Sequence, residues 1–264
     1  MTLDFHKSTY QEVSALRDVY LLSTSAALDG MWENAFLPMA DHWKLADAKE
    51  VIGFCSVNSE GKMLGFHVEN EALDRLVYAR CIEQLNVSGA FASTAEPRYL
   101  SLCADHQSSM SVNALMYAES CEVPAKPVAP PGMSFRIAEL EDLKTAVSFG
   151  VDAIQADQDW LLGYFEERIQ QQELFGLWRE TELIATGECR ISPNQAGIAD
   201  VGMIVGPAHR KNGLATAMLK YLRPIGSQKG LKLICSTESS NIGAQKAIER
   251  AGFVSQHRIL CFEF

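Results

Sequence analysis

The sequence predicts an α/β protein with a mixed central sheet, divided into two domains of similar size. Segments with strand periodicity alternate with segments of helical periodicity through the second half, and the first strands of that half form an antiparallel hairpin. Four of the nine prolines fall in the stretch EVPAKPVAPPGMS. Because proline lacks a backbone donor and favours extended geometry, this stretch predicts a semi-rigid linker. We therefore expect an N-terminal α/β domain over 1–122, a Pro-rich linker over 123–133 and a second domain over 134–264.

The second domain begins with a strand, SFRIAEL, and a helix, EDLKTAVSFGVDAI, whose first turn is acidic as helix N-termini favour. A second amphipathic helix, DWLLGYFEERIQQQ, follows. ELFGLWRETELIATGECRI predicts two strands around a polar turn, and GIADVGMIV predicts a further strand. A helix is expected from about Gly213 to Gln228, followed by a short buried strand, LKLICST. NIGAQKAIERAG is a helix closed by Gly252, and FVSQHRILCFEF forms one or two strands.

The first half repeats part of this order. EVIGFCSVNSEGKMLGFHV has the same strand, turn and strand pattern, a helix (EALDRLVYARCIEQL) follows it, and GAFASTAE resembles KLICSTES. A duplicated fold is one interpretation. The other is that short apolar strands resemble each other by chance. The first half contains no counterpart of the segment HRKNGLA.

Composition excludes several classes of function. The formal charge of −10 argues against a nucleic-acid or anionic-membrane binder, which needs a basic surface. No apolar stretch is long enough to predict a spanning helix, and the polar N-terminus lacks the apolar core of a signal peptide. The seven cysteines are scattered without C-x-x-C, and neither H-E-x-x-H nor a zinc-like Cys/His cluster is present. We expect a cytoplasmic protein with reduced thiols and without a metal.

The segment VGMIVGPAHRKNGLATAML combines features of an anion site. An apolar strand ends at Gly206-Pro207, a basic triplet follows, and a helix begins near Gly213. Helix N-termini present unpaired N–H groups and the positive end of the helix dipole, and a glycine allows close approach of a ligand. The segment is neither a Walker A loop nor a G-x-G-x-x-G fingerprint. The alternative interpretation is a turn before a surface helix.

The order strand, V-x-P-x-x-R-x-x-G-x-A, helix, strand, then N-x-x-A followed by G-F resembles the GNAT superfamily of acyl-CoA N-acyltransferases. The resemblance covers about 134–264 and is faint for the first half. It implies a mixed, mostly antiparallel central sheet flanked by helices, with two such domains in tandem. The residues that carry it are Val205, Pro207, Arg210, Gly213, Ala215, Asn241, Ala244, Gly252 and Phe253.

The resemblance implies that acetyl-CoA binds here as co-substrate. Backbone N–H groups from Arg210 to Thr216 would hold the pyrophosphate, the strand before them would pair with pantetheine, and Asn241 would lie near pantetheine. Gly202 fits a bulge that separates this strand from LKLICST, although a simple weak point in the strand is an equal alternative. The implied cofactor-binding residues are Met203, Ile204, Val205, Arg210, Lys211, Asn212, Gly213, Leu214, Ala215, Thr216 and Asn241.

The sequence departs from the family pattern at two catalytic positions. Ile248 stands where many relatives have a tyrosine acid, and Ser236 stands where some have a glutamate base. Candidate bases are therefore Asp200, Glu238 and Glu188, each also interpretable as a surface or capping carboxylate. A water-relayed base would leave no trace in the sequence.

We expect an acetyl-CoA-dependent N-acetyltransferase that moves the acetyl group directly to a small-molecule or peptide amine. A non-catalytic coenzyme A sensor is the alternative. The first half would close one side of the acceptor pocket or form the surface of a homodimer.

Overall fold

The computed structural model describes residues 3–120 and 128–264. These residues divide into two compact units, one formed by the residues up to Met116 together with His257–Phe264, the other by Tyr117–Gln256. Residues 123–127 of the expected linker, and Cys121, lie outside the described residues. The six described cysteines carry reduced thiols, and five of them are buried.

The first unit begins with an antiparallel meander and continues with a parallel crossover. Strands β1, β2, β3 and β4 pair in that order, each antiparallel to the next, and β4 then pairs in parallel with β5. A π-helical segment, Trp32–Phe36, precedes β2. The elements are β1 (Leu3–Ser8), α1 (Ser14–Leu22), β2 (Asp41–Asp47), β3 (Glu50–Val57), β4 (Lys62–Val68), α2 (Asp74–Leu85), β5 (Gly89–Ser93), α3 (Pro97–His106) and β6 (Ser109–Glu119).

The core of the first unit lies between this sheet and helices α2 and α3. The predicted hairpin β3–β4 is present. Most of its residues are buried on both faces of the sheet. Tyr78 of α2 and Tyr99 of α3 are fully buried beside Met63 and Phe66 of β4. Burial of such aromatic rings contributes about 1.5–3 kcal/mol each. The helix predicted as EALDRLVYARCIEQL thus covers one face of the sheet.

The second unit has the α/β order that the sequence predicts. Its elements are β7 (Ser134–Ile137), α4 (Leu143–Ile154), α5 (Gln158–Gln170), β8 (Leu174–Arg179), β9 (Glu182–Ile191), β10 (Ile198–Val205), α6 (Leu214–Gln228), β11 (Lys232–Glu238), α7 (Ile242–Arg250) and β12 (Phe253–Glu263). The C-terminal segment forms one strand, β12, whose residues from His257 onward belong to the first unit, where Ile259–Glu263 pair antiparallel with β5.

Strands β7, β8, β9, β10 and β11 lie side by side in that order, with antiparallel pairing except between β10 and β11. The expected mixed, mostly antiparallel sheet is therefore confirmed. Helices α4 and α5 pack on one face around Leu161, Phe165 and Ile204. Met218 and Leu222 of α6 cover the other face, where Gly187 leaves room for them because a Cβ there would lie 2.4 Å from the Met218 sulfur.

None of the helices in the described part of the chain is both long enough and apolar enough to span a bilayer.

Candidate functional site

Strands β10 and β11 part in the middle of the sheet. They pair in parallel only from Ile198↔Lys232 to Asp200↔Ile234. Beyond Val201 the residues of β10 change from buried to half-buried, although β10 is an inner strand. On β11 the same change occurs at Ser236, and Glu238 at the strand end is exposed. The parting leaves one backbone edge of Met203, Ile204 and Val205 without a strand partner among the described residues.

The parting does not come from a bulge against β9. The register of β9 with β10 runs one to one from Ala199↔Ile191 to Val205↔Ala185. The prediction of a bulge at Gly202 is therefore wrong for the pairing with β9. The gap arises because β10 and β11 diverge. Gly202 has a different role: a Cβ there would lie 3.1 Å from Nη1 of Arg190, so the glycine leaves room for that guanidinium.

The loop after β10 leads into helix α6, whose N-terminus lies at the open end of this gap. A 3-10 turn, Pro207–His209, leads to Lys211 and Gly213, whose φ angles are +66° and +76°. Gly213 precedes the first residue of α6, and a Cβ built on it would meet no atom within 4 Å. The positive φ explains the choice of glycine, and among the described residues no atom fills the space next to its Cα.

The backbone N–H groups at this helix end are unpaired. The first helical bond runs from Ala217 N to Gly213 O. Within the described residues, no acceptor lies within hydrogen-bonding distance of the N–H groups of the loop and first turn, which belong to Lys211, Asn212, Gly213, Leu214, Ala215 and Thr216. The first turn of α6 carries no acidic side chain. Free N–H groups and the helix dipole make this end of α6 suited to an anion.

The Arg210 guanidinium forms hydrogen bonds with backbone oxygen atoms on either side of the loop. Its Nε donates to Val205 O at 3.2 Å and its Nη2 donates to Ala153 O at 2.7 Å. The guanidinium thus joins the end of β10 to the end of α4. Lys211 is a second exposed cation of the loop, beside Arg210, whereas His209 is half-buried and lies 3.3 Å from Glu182 Oε1.

Asn241 and Thr216 fix the position of helix α7 beside α6. The Asn241 side chain accepts a hydrogen bond from Ala244 N at 3.1 Å and so caps α7. Thr216 Oγ1 donates to Ala247 O at 3.2 Å, which joins α6 to α7. Ile248, at the place of the tyrosine that the resemblance implies, is buried in α7. The described part of the chain therefore offers a core residue there, not an acid.

A buried ionic network lies on the α5 face of the sheet, where β10 leaves β11. Arg190 Nη2 is 3.1 Å from Asp200 Oδ1, and Arg190 Nη1 is 2.5 Å from Glu188 Oε2. Tyr164 donates its hydroxyl to Glu188 Oε2 at 2.5 Å, and Trp160 stacks on Tyr164 with ring centroids 4.9 Å apart. Two carboxylates and one guanidinium leave one net negative charge in the network. Of the predicted bases, Asp200 and Glu188 are thus brought together, whereas Glu238 lies apart from them.

Burial and charge set the protonation states in this network. Burial opposes the charged form of Arg190, but the carboxylates of Asp200 and Glu188 outweigh it and hold the pKa of Arg190 well above its usual range. Burial, with the nearby Glu188 carboxylate, raises the pKa of the Tyr164 hydroxyl. Arg190 therefore stays charged and Tyr164 stays protonated at neutral pH.

Arg190 and the backbone partners of Arg210 were missed by sequence reasoning. The signal for Arg190 is its spacing from Glu188: two charged residues at i and i+2 in an apolar strand share one buried face. Ala153 gives no such signal, because it acts through its carbonyl oxygen. Among the described residues, no group of three or more His, Cys, Asp or Glu side chains is placed to hold a metal ion.

Comparison with known proteins places this geometry in one family. A model described as acetyltransferase (GNAT) domain matches residues 9–120, and one described as acetyltransferase (GNAT) family matches residues 137–253. A GNAT-family acetyltransferase from Colwellia psychrerythraea is 37% identical over 100% of both chains, with a TM-score of 0.92. No curated protein matches the chain.

Two more distant structures share the fold over nearly the whole chain. A GCN5-related N-acetyltransferase from Sphaerobacter thermophilus has 14% identity, covers 98% of this chain and 94% of its own, and has a TM-score of 0.67. A tandem GNAT protein from the clavulanic acid biosynthesis pathway has 14% identity, covers 98% of each chain and has a TM-score of 0.68. The family's activity is acetyl transfer that depends on acetyl-CoA. This chain belongs to the GNAT acetyltransferase family and carries two GNAT domains in tandem.

Proposed function

We propose that the chain transfers an acetyl group from acetyl-CoA directly to an amine, without a covalent enzyme intermediate. Acetyl-CoA supplies the acetyl group as a thioester: the new C–N bond forms as the C–S bond breaks, the ammonium loses a proton to a base, and the sulfur leaves as a thiolate that takes up a proton. The observation that carries the proposal is the uncovered N-terminus of α6 at the open end of the gap between β10 and β11.

The donors of this helix end fit a diphosphate. The free N–H groups of Lys211 to Thr216 supply directed hydrogen bonds, and Lys211 adds a positive charge beside them. Arg210 acts by holding the loop, since its Nε and Nη2 bond backbone oxygens. The unpaired edge of Met203 to Val205 supports an extended partner such as pantetheine, because that edge offers strand-like donors and acceptors. Asn241 contributes by fixing the start of α7.

Asp200 is our first candidate for the base, and Glu188 is the second. Asp200 is the last residue of β10 that pairs with β11, and it shares Arg190 with Glu188. The net negative charge of the network attracts an ammonium group. The Asp200 carboxylate then accepts the ammonium proton, directly or through water. Ser236 lies at the same parting on β11, where its hydroxyl is suited to orient water. Glu238 is exposed, so solvent weakens any charge effect it has on an amine.

The same surroundings favour a cationic amine as acceptor. Trp160 is 39% exposed and stacks on Tyr164, whose hydroxyl reaches the network. An aromatic face beside net negative charge attracts an ammonium group through cation–π and Coulomb attraction. Small-molecule and peptide amines both meet this description. The reduced thiols, five of the six described ones buried, support a cytoplasmic location for the reaction.

Two glycines that flank α6 provide a matched test of the coenzyme site. Gly213 (φ +76°) and Gly230 (φ +68°) flank opposite ends of the same helix, and a Cβ at either would meet no atom within 4 Å. Valine at a positive φ costs about 1–2 kcal/mol in backbone strain at both positions. We expect Gly213→Val to weaken coenzyme A binding at least about tenfold, as 1.4 kcal/mol of lost binding requires. Gly230→Val should leave it unchanged.

Calorimetry with coenzyme A measures both affinities, and thiol release with acetyl-CoA and a panel of amines measures turnover. Equal affinities for the two variants would disprove the site at α6. Tight binding without turnover on any amine would instead indicate a coenzyme A sensor.

A further inference from the structure

The first unit contains a gap at the same topological place as the second. Its order β4, α2, β5, α3 repeats the order β10, α6, β11, α7. Strands β4 and β5 pair in parallel only at Lys62↔Gly89 and Met63↔Ala90, and then part. The start of α2 and the start of α3 follow the two parted strands, as the starts of α6 and α7 do in the second unit. Each GNAT domain thus has the framework for a coenzyme cleft.

The loop that enters α2 has the opposite chemistry to the loop that enters α6. It carries Glu69, Glu71 and Asp74 and no basic residue, where the other loop has His209, Arg210 and Lys211. No glycine precedes α2, and the Asn70 side chain accepts a hydrogen bond from Ala72 N. Three carboxylates repel a diphosphate at this helix end.

Arg98 closes the gap of the first unit. It is the second residue of α3, and its guanidinium donates to Asp74 through Nε at 3.1 Å and through Nη2 at 2.8 Å. Nη1 lies 3.1 Å from Glu71 Oε1, and Nη2 also donates to Val68 O at 3.1 Å. One side chain thus joins the end of β4, the start of α2 and the start of α3. Bidentate pairing of this kind is geometrically specific and stronger than a simple ion pair.

Gly243 is the counterpart of Arg98 in the second unit. It is the second residue of α7, and a Cβ built on it would meet only Asn241 Oδ1, 3.8 Å away. No side chain at this position can cross from α7 to α6. The gap of the second unit therefore stays open at the place where the gap of the first unit is bridged.

We infer that the Arg98–Asp74 pair takes the place of a coenzyme in the first unit, so that each chain binds one coenzyme A, in the second unit alone. The inference rests on the proposed coenzyme site at α6. The first GNAT domain then folds without a bound coenzyme, because Arg98 bridges the gap that a coenzyme would fill. Breaking the pair should not create a second site, because the carboxylates of the loop remain.

Calorimetry of the full-length chain with coenzyme A tests this. We expect one equivalent bound by the wild type and by Arg98→Ala, and one equivalent bound at least about tenfold more weakly by Gly213→Val. Two equivalents in the wild type, of which only one is weakened in Gly213→Val, would overturn the inference and leave the proposed function intact. No binding by the wild type would reject the proposed function and the inference with it.

Hydrogen exchange locates the bound coenzyme without relying on a variant's folding. Saturating coenzyme A should slow exchange of the amides over 211–216 and leave those over 69–74 unchanged in the wild type. Protection over 69–74 would overturn the inference. Should Arg98→Ala unfold, Arg98→Lys replaces it in the calorimetry, because lysine keeps the charge and loses only the bidentate geometry.

Discussion

The guanidinium of Arg210 is bound to the carbonyl oxygen of Val205, 3.2 Å from Nε, at the point where β10 ends. A second bond to Ala153 O, at 2.7 Å, fixes the same side chain to the end of α4. The arginine of the R-x-x-G-x-A motif thus shapes the loop whose N–H groups remain free. In the proposed coenzyme site its part would therefore be geometric, with Lys211 as a second exposed cation beside the helix end.

Replacement of Arg210 by lysine should be nearly as harmful as replacement by glutamine. Lysine keeps the charge but cannot donate to two carbonyl oxygens in fixed directions. Loss of one or two hydrogen bonds from a charged donor costs about 1.5–3 kcal/mol, and we expect coenzyme A affinity to fall about tenfold or more in both variants. Calorimetry provides the measurement. Wild-type affinity in Arg210→Lys together with weak binding in Arg210→Gln would show that charge, not loop geometry, is what matters.

The sequence was sufficient to predict the elements around the proposed coenzyme cleft, because the signals for those elements are local. The apolar run of β10, the glycine before α6 and the period of Leu214, Met218 and Leu222 all lie within one short segment. The closing of the first unit's gap was not predictable, because Arg98 acts on residues 24 and more positions away through the parted strands. Strand β6 was also missed, since its exposed first half lacks an apolar pattern.

The catalytic candidates could be predicted only as a set. Asp200, Glu188 and Glu238 are equivalent in the sequence, and only the structure brings two of them to Arg190. The strand period predicts that Glu188 and Arg190 share a face, but the partner on β10 depends on the register between strands. Register depends on the whole hairpin, and a shift by one residue would turn Asp200 to the other face.

Asp200→Asn should reduce turnover and leave coenzyme A affinity unchanged. The amide keeps the shape but cannot accept a proton from the acceptor, and Arg190 retains Glu188 as a partner. Loss of a charge-assisted hydrogen bond should lower the free energy of unfolding by about 1.5–3 kcal/mol. Thiol release gives kcat and its pH profile, and urea unfolding gives the stability. Glu188→Gln is the matched variant: a larger loss of kcat there would move the role of base from Asp200 to Glu188, and full activity in both would exclude the network.

Asn241 permits a separation of helix capping from ligand contact. Asn241→Ala removes the acceptor for Ala244 N and should lower the free energy of unfolding by about 1 kcal/mol. Asn241→Ser keeps a capping acceptor, removes the amide and adds no charge, so we expect near wild-type stability. If Asn241 acts through its cap, the serine variant also binds coenzyme A as the wild type does. Weak calorimetric binding by a stable Asn241→Ser protein would instead indicate a hydrogen bond from the amide to the coenzyme.

Glu96 gives the first unit a dependence on pH. The Glu96 residue is 7% exposed, and its carboxyl accepts hydrogen bonds from the Tyr20 hydroxyl and the Ser93 N–H. Burial raises its pKa to about 8, from an ordinary value of 4.5, and the hydrogen bond from Ser93 N offsets part of this effect. Tyr20 and Ser93 thus surround a carboxyl that stays protonated at neutral pH.

The folded protein should lose stability relative to a Glu96→Gln variant as pH rises from about 4.5 to about 8, the two pKa values that bound the window. In that window the unfolded carboxyl gives up its proton while the folded one keeps it, so the folded state binds more protons and the free energy of unfolding falls with pH. Glutamine is neutral throughout and lacks this component. Urea midpoints of both proteins at pH 5, 6.5 and 8 measure the difference, with Glu60→Gln at an exposed position as control. Curves for Glu96→Gln and the wild type that stay parallel would show that Glu96 is already ionised in the fold.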